Sequence, residues 1–155
     1  MSQGELETRI AVLEDIEAIK KLKYQYAHLV DTRNWRDFAK LATEDAIWDF
    51  GDLGLYKGRE EIIHFTRDII LEAYSFMMHM FHNPIIEVKG DTATGEWYFE
   101  VPATDKAKNR AVWISGRYEE EYVKIKGEWK FKKVVGNIYF ITPYDEGWVK
   151  TKMLQ

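Results

Sequence analysis

The chain has 155 residues, a formal charge of −4 and no cysteine, and 46% of its residues are hydrophobic. This length predicts one domain, residues 1–155, with its own hydrophobic core. The composition excludes a disulfide framework and a cysteine nucleophile, and the slight acidic excess gives no basic footprint for nucleic acid. Aromatic residues make up 15% of the chain, which indicates a ring-rich core, a ring-lined pocket, or both.

The N-terminal segment carries charges throughout and lacks the continuous apolar run of a secretory signal. No stretch of the chain approaches the roughly 20 apolar residues that are needed to cross a bilayer. We therefore expect a cytoplasmic protein that does not contact a membrane.

Helical periodicity dominates the first half of the chain. Apolar residues recur at steps of three and four from Ile10 to Leu29, which predicts a long amphipathic helix that ends near Asp31. Asn34 is a typical N-cap for a short second helix. The predicted helices span residues 1–30, 35–41 and 59–74.

From residue 76 onward the pattern changes to long strands separated by turns. The long strands are predicted at 77–89, 93–103, 110–125 and 128–141. Two short strands are predicted earlier in the chain, at 46–50 and 55–57. Asn83 and Pro84 interrupt the first long strand and predict a bulge, because proline cannot donate to a ladder. The acidic run 119–121 is expected to be a solvated strand end.

Helices followed by a meander of long strands predict an α+β fold. Strands of this length must twist and curl, so the first helix is expected to pack in the concave face of a cone-shaped sheet. The open end of the cone is a natural pocket for a small molecule.

Two polar residues point to chemistry. Asp31 follows the apolar end of the first helix, close to Tyr26, and a carboxylate among apolar residues is costly unless it is paired. A histidine from the sheet would be a suitable partner, since Asp would hold one ring nitrogen and leave the other as a general base. Taken singly, Asp31 is more often a helix-end carboxylate, and His79 and Tyr26 are more often core residues.

His79 and His82 raise the question of a metal site. Residues three apart on a regular strand point to opposite faces, so the two could share an ion only across a bulge. No metal is therefore predicted.

Several segments together resemble a known family. The segments are DIEAIKKLKYQYAHLVD, LYKGREEI, HMFHNPIIEV, TATGEWYFE, SGRYEEEYVKIKGEWKF and YFITPY. Over about residues 16–144 their order and spacing resemble the SnoaL-like branch of the nuclear-transport-factor-2-like superfamily. Within it the chain is similar to the scytalone dehydratase, hexachlorocyclohexane dehydrochlorinase and bile-acid 7α-dehydratase group. The resemblance implies a cone-shaped α+β barrel, a lyase without a cofactor and, commonly, a trimer.

The resemblance also implies roles for particular residues. The working aspartate and histidine of those lyases match Asp31 and His79, and a tyrosine five residues before the aspartate matches Tyr26. His82 matches a second histidine of the bile-acid enzyme. Val101 stands shortly after WYFE, where that enzyme has an acidic residue, so the same substrate is not implied.

The implied reaction is an elimination. His79 would remove a proton from a small hydrophobic cyclic or aromatic substrate, and water or halide would leave. The residues expected to bind the substrate are His82, Trp48, Trp97, Trp113, Asn137 and Tyr139. Two alternatives stay open: an isomerase or cyclase of the same fold, and a non-catalytic small subunit or binding protein.

Overall fold

A computed structural model describes residues 2–154. The first helix, α1 (Gln3–Asp31), begins with a capping box in which Ser2 Oγ accepts a hydrogen bond from the Glu5 backbone N–H and the Glu5 carboxylate accepts one from Ser2. Its buried positions all belong to the second half: Ile19, Leu22, Lys23, Tyr26 and Val30. The predicted long helix is confirmed, and its buried residues all lie in its second half.

The other helices are short. They are α2 (Trp35–Phe38), α3 (Gly58–His64), α4 (Leu71–Ala73) and α5 (Gly147–Lys150), with 3₁₀ turns at Ala39–Leu41 and Gly51–Leu53. Asn34 caps α2 as predicted, because its Oδ1 accepts from the Asp37 backbone N–H at 3.3 Å. The third predicted helix is not regular: a π-helical turn, Phe65–Ile70, separates α3 from α4. Such turns often occur at functional sites.

Seven strands form one mixed sheet with the order β2-β1-β7-β6-β5-β3, and β4 also pairs with β5. The strands are β1 (Ala42–Asp49), β2 (Leu55–Lys57), β3 (Tyr74–Met77), β4 (Met80–Lys89), β5 (Thr92–Asp105), β6 (Arg110–Ile125) and β7 (Glu128–Pro143). Only β1 and β7 run parallel among these pairs. The predicted α+β class, with helices against a curled sheet, is confirmed.

Two strand predictions need correction. The first strand begins at Ala42, earlier than predicted, and the predicted strand 77–89 is divided into β3 and β4. Met78 and His79 lie in the step between them, where the Met78 backbone N–H donates to the Pro102 carbonyl at 3.1 Å. The predicted bulge is confirmed, because the β4–β5 register shifts between His82 and Ile85.

The concave face of the sheet supplies most of the core. Strict alternation buries every second residue of β6, including Tyr118, Glu120 and Tyr122. Glu120 is only 3% exposed, so its predicted solvent exposure is wrong. Its position on the same face as two buried tyrosines is the physical reason. None of the helices in residues 2–154 is long and apolar enough to span a bilayer.

At Gly116 the backbones of β6 and β7 approach each other closely. A Cβ atom at this position would lie 2.2 Å from the carbonyl oxygen of Asn137 and 2.8 Å from the ring of Phe99. The β6–β7 register shifts beside it, between Ser115 and Gly116. The close approach therefore requires glycine.

Gly116→Ala is expected to destabilise the protein by about 2 kcal/mol, because a rigid backbone atom blocks the added methyl group. Urea unfolding followed by circular dichroism measures the change. Gly4→Ala is the matched control, since no atom lies within 4 Å of a Cβ there. Equal stability of Gly116→Ala and the unmodified protein would contradict the packing described.

Candidate active site

A cavity of about 280 Å³ opens between the end of α1, the π-helical turn and the concave face of the sheet. Its walls are mainly apolar. The described residues that line it include Val30, Phe50, Leu53, Phe65, Ile69, Ile70, Met77, Phe99, Val101, Ile114, Ile138 and Ile141. Its polar lining comes from Tyr26, Thr66, Tyr74, His79 and Tyr118. The cavity therefore suits a small, mostly apolar molecule with few polar groups.

Asp31 and His79 meet at the edge of this cavity. One carboxylate oxygen of Asp31, Oδ2, accepts a hydrogen bond from the His79 backbone N–H at 2.9 Å, and Oδ1 lies 2.6 Å from His79 Nδ1. The side chains of Asp31 and His79 are 24% and 7% exposed. Because the aspartate holds both the backbone and the ring, the imidazole has a fixed orientation.

The local chain explains why the two residues meet. Asp31 is the last residue of α1, and His79 occupies the step between β3 and β4. A carboxylate at the C-terminal end of a helix faces the negative end of the helix dipole, so it gains from a donor elsewhere. With Nδ1 held by Asp31, Nε2 is the nitrogen that the imidazole can use toward a ligand in the cavity.

Tyr26 lies one turn before this pair and lines the same cavity. It is 3% exposed, and its ring packs edge-on to the His79 ring with centroids 6.3 Å apart. Burial is the main cause that raises the pKa of Tyr26 well above its ordinary value, with a further contribution from Tyr118. Tyr26 is therefore a neutral O–H donor over the whole physiological pH range.

Tyr118 is a site residue that the sequence analysis missed. It lines the cavity from β6, and its side chain interacts with that of Tyr26. Burial raises the pKa of Tyr118 above its ordinary value, as does the charge of Glu120. The sequence held a signal for it, because Tyr118 alternates in step with the buried residues of β6.

A second buried polar group lies behind the two tyrosines. Lys23 and Glu120 form an ion pair whose side chains are both 0% exposed. Glu120 also accepts a hydrogen bond from the Tyr122 hydroxyl, which in turn accepts one from Trp97 Nε1 at 2.9 Å. None of these four residues lines the cavity, and sequence reasoning predicted neither the ion pair nor its place.

Trp48 and Trp97, two predicted substrate-binding residues, lie in the core and not in the cavity lining. Each is 1% exposed. Trp48 packs against Tyr26 and Phe38 with centroids 5.5 Å from each. Their rings stabilise the scaffold behind the site, so the structure does not bring them to a ligand in the cavity.

The other four predicted substrate-binding residues point away from the cavity. Trp113 packs on Phe140, Tyr144 and Trp148. The Asn137 side-chain amide donates to the Glu119 carboxylate at 3.2 Å, and the ring of Tyr139 packs against that of Tyr98. His82 Nε2 lies 3.8 Å from a carboxylate oxygen of Glu100. The bulge that skips Tyr139, together with the alternation of the strands, turns these side chains outward.

His79 lines the cavity, whereas His82 lies outside it beside Glu100. Within residues 2–154 no group of three His, Cys, Asp or Glu side chains is arranged to hold a metal ion. The candidate site is therefore described by Asp31, His79, Tyr26 and Tyr118 in an apolar cavity.

Comparison with known proteins gives this geometry a family context. The SnoaL-like domain family matches residues 11–135 of the chain. Hexachlorocyclohexane dehydrochlorinase 1 of Sphingobium indicum (strain DSM 16412 / CCM 7286 / MTCC 6364 / B90A) is 27% identical over 115 residues, which is 74% of this chain and 75% of that enzyme.

Solved structures show the same architecture. Hexachlorocyclohexane dehydrochlorinase LinA-type3 from Novosphingobium barchaimii LL02 is 26% identical and has a TM-score of 0.79, covering 84% of this chain and 90% of that one. A candidate scytalone dehydratase from Novosphingobium aromaticivorans DSM 12444 is 21% identical, with a TM-score of 0.78 over 85% of this chain and 89% of that one. The second likeness concerns the fold alone.

The Asp31 contact predicts one tautomer of His79. An ionised carboxylate can only accept a hydrogen bond. The Nδ1 atom of a neutral imidazole must therefore carry the hydrogen, and Nε2 must be unprotonated. Long-range ¹H–¹⁵N correlation spectra of histidine-labelled protein report this directly. Asp31→Ala is expected to lose the preference. A dominant Nε2–H tautomer in the unmodified protein would contradict the assignment.

Proposed function

The chain belongs to the SnoaL-like domain family, and on this premise we propose that it is a lyase that needs no cofactor. It would eliminate water or halide from a small hydrophobic cyclic or aromatic substrate. The observation that carries the proposal is the contact of Asp31 with His79 at the wall of an apolar cavity. The names of the dehydrochlorinase relatives support elimination as the reaction class.

The proposed step begins at His79. Nε2 takes a proton from a carbon that is alpha to a carbonyl or beta to a leaving group, and the electron pair of that C–H bond forms the new double bond. The leaving group departs with the electron pair of its own bond. Asp31 stabilises the imidazolium that forms, and a positioned base of this kind contributes about 10²–10⁴-fold.

Tyr26 and Tyr118 are the proposed hydrogen-bond donors to the substrate. Both are neutral O–H donors in the cavity lining. One of them can donate to a carbonyl or leaving hydroxyl of the substrate while His79 removes the proton. A substrate oxygen in the apolar cavity would otherwise lose the hydrogen bonds that it has in water.

The cavity limits the substrate class. At about 280 Å³ it takes a small molecule, and its described lining contains no Lys, Arg, Asp or Glu. A charged substrate would lose its hydration there without gaining a counter-ion. We therefore propose an uncharged ring compound, and positioning within this dry cavity supplies much of the remaining acceleration.

The oligomeric state of the protein and its location in the cell both remain predictions. A homo-oligomer, with a trimer favoured, would cover aromatic rings on the outer sheet face, where Tyr98 and Tyr139 are 48% and 43% exposed. Sedimentation analysis measures its mass. Location in the cytoplasm is likewise still a prediction.

The proposal is tested with His79→Ala, Asp31→Asn and Tyr26→Phe on a panel of chlorinated and hydroxylated ring compounds. Turnover is expected to fall about 10²–10⁴-fold for His79→Ala, since the base is lost, and less for Tyr26→Phe. His82→Ala is the matched control, because His82 lies outside the cavity and its side chain is 42% exposed. Mass spectrometry of the product measures the loss of water or halide.

Two results would contradict the proposal. Folded His79→Ala and Asp31→Asn proteins that retain full turnover would remove the pair from the mechanism. A product with the mass of the substrate would identify an isomerase or cyclase on the same site.

A further inference from the structure

Among residues 2–154, one fully buried ion pair, that of Lys23 with Glu120, has no role in the proposed mechanism. We propose that this pair is a positioning element of the site. Its positive end polarises the phenol rings of Tyr118 and Tyr26, so that one of the two hydroxyls donates a stronger hydrogen bond to a hydroxyl or carbonyl oxygen of the substrate. The inference rests on the proposed function, and it narrows the substrate class to ring compounds that carry an oxygen.

The ammonium group of Lys23 lies among aromatic faces. Its Nζ is 3.9 Å from the ring centroid of Tyr118, 4.1 Å from that of Phe81 and 4.8 Å from that of Tyr26. The only hydrogen-bond acceptor that its Nζ contacts within the described residues is Glu120. The remaining N–H groups therefore face ring electrons, an arrangement that stabilises a cation at a fully buried position.

The pair has a direction relative to the cavity. Its positive end touches Tyr26 and Tyr118, both of which line the cavity, whereas its negative end is held by Tyr122. Tyr122 in turn accepts from Trp97, deeper in the core. A fixed dipole thus points its positive end at the two phenols from behind.

The physical effect follows from this direction. The Lys23 ammonium over the two phenol rings strengthens their O–H groups as donors and stabilises negative charge that develops on the acceptor. The charge of Glu120 acts against this effect and contributes to the raised pKa of both tyrosines. Both charges are fully buried, where screening is weak and electrostatic interactions are strong. Burial lowers the pKa of Lys23, and the carboxylate of Glu120 opposes that change.

Stability alone gives no sufficient reason for the pair. Removing two charges from water is expensive, and a buried ion pair is often replaced by apolar residues without loss of stability. The chain offers a contrast in the pair of Lys124 with Asp15, which is partly exposed and does not line the cavity. That pair joins the same helix to the same strand, β6, and so provides a matched control.

The test uses two double variants that each remove one ion pair and keep the net charge. Lys23→Met/Glu120→Gln removes the buried pair, and Lys124→Met/Asp15→Asn removes the control pair. Tyr122→Phe is a milder variant that leaves both charges, although it removes the hydrogen bond to Glu120 and the acceptor of Trp97 Nε1. Circular dichroism and thermal unfolding establish that each protein is folded.

The first measurement needs no turnover. Cyclohexanone labelled with ¹³C at its carbonyl is the probe, because its resonance moves downfield when the oxygen accepts hydrogen bonds. We expect a downfield shift on binding to the unmodified protein and to the Lys124→Met/Asp15→Asn control. The shift is expected to be smaller in Lys23→Met/Glu120→Gln and in Tyr122→Phe, and smallest in Tyr118→Phe.

The second measurement is kinetic, on the best substrate of the panel. Lys23→Met/Glu120→Gln is expected to lower kcat about tenfold or more with little change in KM, as loss of a preorganised donor does. Tyr122→Phe should lower kcat less, and the control pair should leave it unchanged. A purely structural role would change thermal stability without separating kcat from KM.

Particular results would overturn the inference. One is a folded Lys23→Met/Glu120→Gln protein with full kcat and an unchanged carbonyl shift; another is an unmodified protein that gives the carbonyl no downfield shift. If the double variant does not fold, an unchanged shift in Tyr122→Phe has the same meaning. Failure of the proposed function can be distinguished from failure of this inference. It would appear as unchanged turnover in His79→Ala, and the carbonyl shifts would still test the ion pair.

Discussion

Both oxygens of the Asp31 carboxylate are engaged by His79, one by its backbone N–H and the other by ring Nδ1. This contact joins the end of α1 to the step between β3 and β4, where the strand is interrupted and a backbone N–H needs a partner. The carboxylate therefore completes the local backbone and orients the imidazole at the same time. The position of every other group in the site is defined relative to this junction.

The site extends along α1 as a series of polar pairs that are partly or fully buried. Asp31 meets His79, Tyr26 meets Tyr118, and Lys23 meets Glu120. In each pair the helix supplies one partner, and the other comes from β6 or, for His79, from the step between β3 and β4. Because a buried polar group is costly when it has no partner, these three pairs constrain how the helix packs against the sheet.

The sequence analysis predicted a histidine partner for Asp31, and the structure brings Asp31 and His79 into contact. Trp48 and Trp97, which were predicted to bind the substrate, lie in the core instead, because burial in the core and exposure to a cavity have the same signature in sequence. Tyr139 and Asn137 illustrate a second reason, since a bulge between β6 and β7 changes which residues of β7 face inward. The walls are instead aliphatic residues and phenylalanines contributed by seven separate parts of the chain.

Periodicity by itself determined the long helix, the long strands, the α+β class and the helix end at which Asp31 lies, because these depend on neighbours in sequence. The burial of Glu120 was not predicted, because the run of three glutamates was interpreted as a solvated strand end, although Glu120 alternates in step with the buried residues of β6. Only the tertiary structure decided that Lys23 lies opposite Glu120 and that Tyr118 shares a cavity with His79. Those contacts join residues far apart in the chain, and their geometry depends on sheet curvature and strand register, which no local pattern encodes.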